Sequence, residues 1–441
     1  MLKLAQICLM AQIILTPLML GGARPWALAV LAMLTGTGIL AVCMRPGPVR
    51  AAGYLRHAWL FLGALIVWCL IQSLPIWPIQ SDPFKAPMIA LMPDGWMDTA
   101  IYLVWLGGLV TLTSLIGQAC GQHLVNLAAC AIVISCALQV ALAATSALFD
   151  WNTTYWFAKQ AHLGDWTGSF ANRNAFGALM GFGVLACLFF YDHSPAQSAG
   201  KRLDRSGGWL ALAILFAAAL IQSHSRLAFV MMLVGGMVFG LLRTAPYANF
   251  SKRMIFACLG GLLVIGLATL ISPELFVRFS DLSRADLIQR DDLWQTALLA
   301  ITDRPITGFG PDSITLALGH FATPKLNTHA NWFSSHNLWL DGAIMFGVPI
   351  MLGIGLALSA AIKIVLRTCP HTANRALLIA LFAMTLPSTF GDWVMIIPAL
   401  TLPVVLLMVA SFEAGLAGQA TRPEYGDHAV QSPAPDQATL H

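Results

Sequence analysis

Long, nearly uncharged apolar runs recur along the whole chain, and this recurrence restricts the available folds more than any single motif does. Runs of about 16–25 apolar residues can cross a hydrocarbon core of ~30 Å as helices, whose backbone groups are satisfied internally. They fall at residues 5–20, 26–43, 58–74, 99–116, 124–148, 174–191, 209–222, 227–242, 254–271, 337–366, 376–387 and 393–412. With 58% hydrophobic residues, 10% charged residues and a mean hydropathy of +0.74, the composition lies outside the soluble norm. The sequence therefore predicts an all-α polytopic membrane protein with about twelve transmembrane helices.

Charge in the connecting loops sets an expected orientation, because cytoplasmic loops carry the excess of Lys and Arg. One set of alternate loops holds Lys3, Arg45, Arg50, Arg56, Lys201, Arg202, Arg205, Arg243, Lys252, Arg253, Lys363, Arg367 and Arg375. The short loops of the other set hold only Arg24, Lys85, Lys159, Arg173 and Arg226. Both termini are expected in the cytoplasm. The first run reads as an uncleaved helix, since Arg24-Pro25 makes a poor signal cleavage site. The net charge of +4 follows from the basic loops and gives no case for nucleic-acid binding. The nine cysteines have neither metal nor redox spacing, and no nucleotide-binding fingerprint or internal repeat is visible. The expected division is N-terminal helices in 1–271, a large polar loop in 272–335, C-terminal helices in 336–413 and a disordered cytoplasmic tail in 414–441.

The polar insert is where chemistry is expected. Leu287, Ile288, Trp294, Ala297, Leu298 and Ile301 recur at helical spacing and predict an amphipathic helix ending near Pro305. Arg290 falls on the same stripe, three residues after Leu287 and four before Trp294. Its guanidinium needs an anion: a loop carboxylate such as Asp281 or Asp286, or a substrate phosphate. Arg226 follows Ser223-His224-Ser225 and opens an apolar run, so it either snorkels to lipid phosphates or serves a site at the membrane boundary. Arg173, in Gly168-Ser169-Phe170-Ala171-Asn172-Arg173-Asn174, is similarly placed and reads as a binding group or a topological anchor. His336 is expected in the first turn of its helix, capped by Ser334 or Ser335, where the helix dipole favours a neutral imidazole able to act as a base. A structural helix-start histidine is the plain alternative. A metal site with His320 and His329 would have intervals that match no common ligand spacing.

These segments, taken in order, resemble the O-antigen ligase and polymerase superfamily of bacterial membrane glycosyltransferases. The resemblance rests on Gly21-Gly22-Ala23-Arg24-Pro25-Trp26, the Gly168 to Asn174 segment and Ser225-Arg226. It continues through Arg290-Asp291-Asp292-Leu293-Trp294, Arg304-Pro305-Ile306-Thr307-Gly308-Phe309-Gly310 and His336-Asn337-Leu338-Trp339-Leu340. It implies a C-type glycosyltransferase architecture, an undecaprenyl-diphosphate-linked glycan donor and a metal-independent, inverting transfer that needs no cofactor. It also implies an inner-membrane location with the site facing the periplasm, and an essential histidine that maps onto His336. The donor-binding arginines map onto Arg226 and Arg290, with Arg173 as a third diphosphate ligand. The acceptor is lipid A core in a ligase and a second lipid-linked glycan in a polymerase. Members often carry Gln or Glu a few residues after the histidine, where this chain has Asp341. A flippase or exporter of lipid-linked glycans is the competing reading. It expects key charges near the bilayer midplane, whereas these motifs cluster at one boundary.

Overall fold

The structure, a computed structural model, describes residues 1–47, 51–76, 84, 87–193, 199–243, 260–261, 264–266, 272, 274, 277, 284–326, 332–369 and 372–420. Among these residues the chain is helical, with one isolated β-bridge between Thr153 and Ala158. The helices are α1 (Leu2–Leu18), α2 (Pro25–Cys43), α3 (Gly53–Gln72), α4 (Gly95–Cys120), α5 (Gln122–Leu148), α6 (Arg173–His193) and α7 (Ala199–Gln222). After these come α8 (Arg226–Arg243), α9 (Arg284–Asp303), α10 (Ile314–His320), α11 (Leu338–Phe346), α12 (Val348–Thr368), α13 (Thr372–Gly391) and α14 (Pro398–Ala420). Among the described residues nine helices are long and apolar enough to cross a membrane, and α1 and Ser206–Gln222 of α7 are shorter apolar helices.

Helix α6 is the hub of the bundle: 78% of its span is buried, against 11% for the peripheral α12. Small residues let neighbours approach it closely, as expected where lipid supplies no hydrophobic drive between helices. A Cβ on Gly177 would sit 2.5 Å from that of Ala228, so α6 and α8 nearly touch there. Polar side chains tie other contacts inside the bundle. Gln12 of α1, fully buried, accepts hydrogen bonds from Thr35 of α2 (3.0 Å) and Trp105 of α4 (3.2 Å).

The two ends of the bundle differ in chemistry. At one end Glu413 of α14 accepts from Tyr54 (2.7 Å) and Ser114 (2.6 Å), and Arg243 pairs with Asp192. Lys3, Arg45, Arg56, Lys363, Arg367 and Arg375 lie on helix ends and loops of this same side. The opposite end gathers the starts of α6, α8 and α14, the end of α13 and the polar insert. The insert has its own small core, in which Leu293, Ala297, Ala300 and Ile301 of α9 pack with Phe309, Ala317, Leu318, Ala343 and Ile344.

Two sequence expectations change here, and a third falls outside what the structure describes. The single span expected at 337–366 is broken into α11 and α12 at Gly347, which holds φ +86° and is followed by Pro349 in the first turn of α12. The last span starts at Pro398, after a short 3₁₀ turn at Val394–Ile396, and runs on to Ala420. The expected span 254–271 lies largely outside the described residues, as does the tail beyond Ala420.

The Arg304–Gly310 segment acts as a structural staple. Phe309 N donates to Ile344 O (2.7 Å), Gly310 N to Met345 O (2.9 Å) and Val348 N to Pro305 O (2.8 Å). Gln72 at the end of α3 donates to Thr307 O (2.7 Å) and Met345 O (2.8 Å). Gly308, at φ +64°, leaves room for this backbone approach, since a Cβ would lie 2.7 Å from Gly347 N. Arg304 is buried, donates to Ile89 O (2.8 Å) and lies 4.6 Å from the ring centre of Phe309, a packing role rather than a ligand-binding one.

Candidate functional site

A chain of polar side chains links four segments at the insert end of the bundle. His336 sits just before α11 with a left-handed backbone, φ +56°, which is uncommon for a residue with a Cβ. Bonds on both sides hold it there. Its amide donates to Ser334 Oγ (2.9 Å), while Asp341 accepts from Ser334 Oγ (2.5 Å) and from Ser335 N (2.7 Å). The next residue, Asn337, is the N-cap of α11, its Oδ1 accepting from Trp339 N (3.0 Å) and Leu340 N (3.2 Å). His336 therefore stands one residue outside the helix, and neither Ser334 nor Ser335 is the cap. The expectation of a first-turn histidine is corrected: the side-chain amide of Asn337 satisfies the helix donors, leaving the two serines to fold the loop onto Asp341.

The Nδ1 of His336 is buried and lies 3.5 Å from Oδ1 of Asp392, at the outer edge of hydrogen bonding. The side chain is 36% exposed, so its accessible surface belongs to atoms other than Nδ1. Asp392, 1% exposed, follows the last residue of α13 and accepts from Trp393 N (2.8 Å) and from Asn174 Nδ2 (2.5 Å). Burial on its own raises this carboxyl. The nearby His336 ring and the hydrogen bonds from Asn174 and the Trp393 amide outweigh it and hold the group below the usual carboxylate range. Asn174 in turn accepts from Ser225 Oγ (2.6 Å), which also caps α8 by accepting from Ala228 N (3.2 Å). The line runs from Ser225 through Asn174 and Asp392 to His336. A bond from Trp339 Nε1 to Thr389 Oγ1 (3.2 Å) fastens α11 to α13 beside it.

The three arginines occupy different settings around this line. Arg226, the residue after Ser225, opens α8 and is half-buried. Arg173, next to Asn174, donates to Asp165 Oδ2 (2.7 Å), and the other oxygen of that buried carboxylate lies 2.8 Å from His224 Nδ1. The segment before α6 is fixed by Ser169, whose amide donates to Gln139 Oε1 (3.0 Å) and whose hydroxyl donates to Pro17 O (2.7 Å). Arg290 is exposed; Asp281 and the side chain of Asp286, its two expected carboxylate partners, lie outside what the structure describes. It is four residues, about 6 Å of helix rise, before Trp294, and Trp294 Nε1 donates to Ser335 O (3.0 Å). Helix α9 is thus bonded directly to the residue preceding His336.

The buried face of α9 differs from the expected one. Leu293, Ala297, Ala300 and Ile301 are buried together with the polar Asp292 and Thr296, while Leu298 is 52% exposed. Arg290 lies two turns before the buried Ala297, on the same side of α9, and is exposed because it stands ahead of the packed part of the helix. His320 packs against Phe84 at a tilt and against Phe321 edge-on, with ring centres 4.4 and 4.9 Å apart, and His329 lies outside the described residues.

Residues 211–355 match the family model described as O-Antigen ligase. Over this stretch the chain is similar to the O-antigen ligase family, which supports the O-antigen ligase-like superfamily. Comparison with curated proteins gives no match. The matched region contains Arg226, Arg290, the Arg304 to Gly310 staple and His336. Arg173, Asn174 and Asp392 lie outside it and are brought to His336 only by the fold. Sequence reasoning missed Asp392, Asn174 and Asp165. The available signal was Asp392 itself, a lone carboxylate between two apolar runs, which is a functional candidate by default near a membrane. The family supports an enzyme of O-antigen ligase or polymerase type, a multi-pass membrane protein acting on lipid-linked glycan.

Proposed function

We propose that this chain transfers a glycan from an undecaprenyl-diphosphate carrier to a hydroxyl of lipid A core, at the periplasmic face of the bacterial inner membrane. The observation that carries the reading is the His336–Asp392 pair, whose Nδ1 side is buried against the carboxylate while the rest of the imidazole stays accessible. Asp392 orients the ring and stabilises the imidazolium that forms when Nε2 takes the proton of the acceptor hydroxyl. A 3.5 Å separation is usual for such a contact before substrate closes the site.

In this scheme the acceptor oxygen attacks the anomeric carbon as the bond to the diphosphate oxygen breaks. The bonding electrons leave with undecaprenyl diphosphate, and a single displacement inverts the anomeric configuration. Arg226 and Arg290 bind the departing diphosphate; their planar forks match phosphate bidentately and remain charged, so the scheme calls on no metal. Arg173 is the third diphosphate ligand, with part of its donor set already committed to Asp165. Asp341 is 3% exposed and shapes the loop, which assigns it no contact with acceptor.

The polymerase reading uses the same chemistry with a second lipid-linked glycan as acceptor. The flippase reading is disfavoured because the polar line lies at one end of the bundle rather than along its depth. The test is purified full-length protein in vesicles with a synthetic undecaprenyl-diphosphate glycan, offered lipid A core or a second donor, beside His336→Ala. Transfer to core that requires His336 supports the ligase. Chain growth on the second donor favours the polymerase, and turnover with neither favours the flippase.

A further inference from the structure

At the His336 end, the close of α5 and the loop 150–167 enclose a polar cavity of about 140 Å³ that the transfer scheme leaves unused. It has room for several water molecules, and so for one small polar ligand, but not for a lipid chain. Its walls are fixed. Lys159 N donates to Asn152 O (2.7 Å), Gly164 N to Asn152 Oδ1 (3.2 Å) and Trp166 N to Gln222 O (3.1 Å). Trp151, Trp166 and Thr167 are among its lining residues, and the Thr167 hydroxyl beside it is buried and has no hydrogen-bond partner. A buried hydroxyl left unmatched calls for an occupant that donates or accepts there.

The charges select the kind of occupant. Lys159 is the one cation on the wall, and its Nζ is already bonded to Asp165 O (3.0 Å). Asp150 and Asp165 also line the cavity; the Asp165 carboxylate is paired with Arg173, so the negative charge a phosphate would meet is that of Asp150. A neutral, hydroxyl-rich ring with one apolar face suits the hydroxyl, the carboxylates and the indoles together. The cavity is also wired to the site, because Asp165 holds Arg173 and His224, the sequence neighbours of Asn174 and Ser225 in the line to His336.

We propose that this cavity is a saccharide subsite that receives one sugar ring of the donor glycan or of the acceptor. This rests on the glycan-transfer reading for its source of sugar, though not for its chemistry. The full-length protein in detergent is titrated with glucose, galactose, N-acetylglucosamine and, as the anion control, inorganic phosphate, following tryptophan fluorescence. At least one sugar is expected to give a saturable change in wild type and equally in His336→Ala. Thr167→Val, which removes only the orphan hydroxyl, is expected to weaken that binding about three- to ten-fold. Thr167→Ser, which keeps a hydroxyl, should restore most of it, and Trp151→Ala should weaken it at least as much as Thr167→Val. No saturation by any sugar, saturation by phosphate alone, or wild-type affinity in both Thr167→Val and Trp151→Ala overturns the proposal. A raised KM for donor in Thr167→Val assigns the ring to the donor, and a raised KM for core assigns it to the acceptor. Sugar binding without any transfer would leave the subsite standing while the proposed function falls.

Discussion

Replacing Asp392 with Asn tests the site most directly, because the change keeps the shape and removes the charge. Asp392 accepts from Asn174 Nδ2 and Trp393 N and faces His336 Nδ1. An amide can meet the first contact by a flip of Asn174, with the Ser225 hydroxyl turning from donor to acceptor, so the fold can absorb the change. What it cannot supply is a negative charge beside an imidazole that gains a proton in the transition state. A hydrogen bond to a charged group is worth about 1.5–3 kcal/mol, and each 1.36 kcal/mol is tenfold in rate. The expected loss is therefore roughly ten- to a hundred-fold in kcat, with KM for donor little changed because Asp392 is buried away from the diphosphate. The assay is steady-state glycan transfer in vesicles across a pH series, with a thermal melt of the same preparation. A folded Asp392→Asn protein with wild-type kcat would show that the carboxylate only anchors Trp393 and Asn174, and the acid–base reading of His336 would lose its support.

Four further outcomes follow from the same geometry. His336→Ala is expected to lower transfer by about 10²- to 10⁴-fold without changing abundance in the membrane, and retained activity would remove the base. Arg290→Lys keeps the charge but not the fork, and a loss of about tenfold or more in kcat/KM is expected; unchanged kinetics would make Arg290 a surface charge. Burial raises the Asp341 carboxyl, with bonds from Ser334 and Ser335 only partly opposing it. Its stabilising share is then complete below the ordinary carboxylate pKa of ~3.9 and is lost as pH rises through the raised value. Asp341→Asn should therefore flatten this part of the stability profile and melt at or above the wild-type temperature at neutral pH, and a large drop in melting temperature there would refute the sign. Gly347→Ala would put a methyl group against the Ile306 carbonyl at φ +86°, and a cost of at least about 1–3 kcal/mol is expected in thermal unfolding; a wild-type melt would show that the staple yields.

The helical class and most spans were legible because a membrane demands long apolar runs with internally satisfied backbones. Gly347 was the exception: an apolar run conceals a break when the chain stays apolar through it, and the run from Leu338 to Leu366 does. The face of α9 was illegible for a related reason. It carries apolar residues on two sides, Leu293 and Ala297 on one and Leu298 and Leu299 on the other, so periodicity alone cannot choose between them. Packing against α10 and α11 decides, and it buries Asp292 and Thr296 with the first set.

The candidate site was half legible, and the division follows from where its residues come from. His336, Arg226 and Arg290 stand in local patterns, an imidazole or guanidinium where a polar segment meets an apolar one. Asn174 stands at the start of α6 and Asp392 just past the end of α13, and only the topology that returns α13 to the end where α6 begins brings them to the imidazole. That topology was implicit in the alternation of basic loops. Once both termini share one side, the start of α6, the start of α8 and the close of α13 must share the other. A carboxylate at that last boundary was then the partner to seek for His336. Topology thus narrows the search to one end of the bundle, and the cost of burying an unpaired charge selects the pair within it.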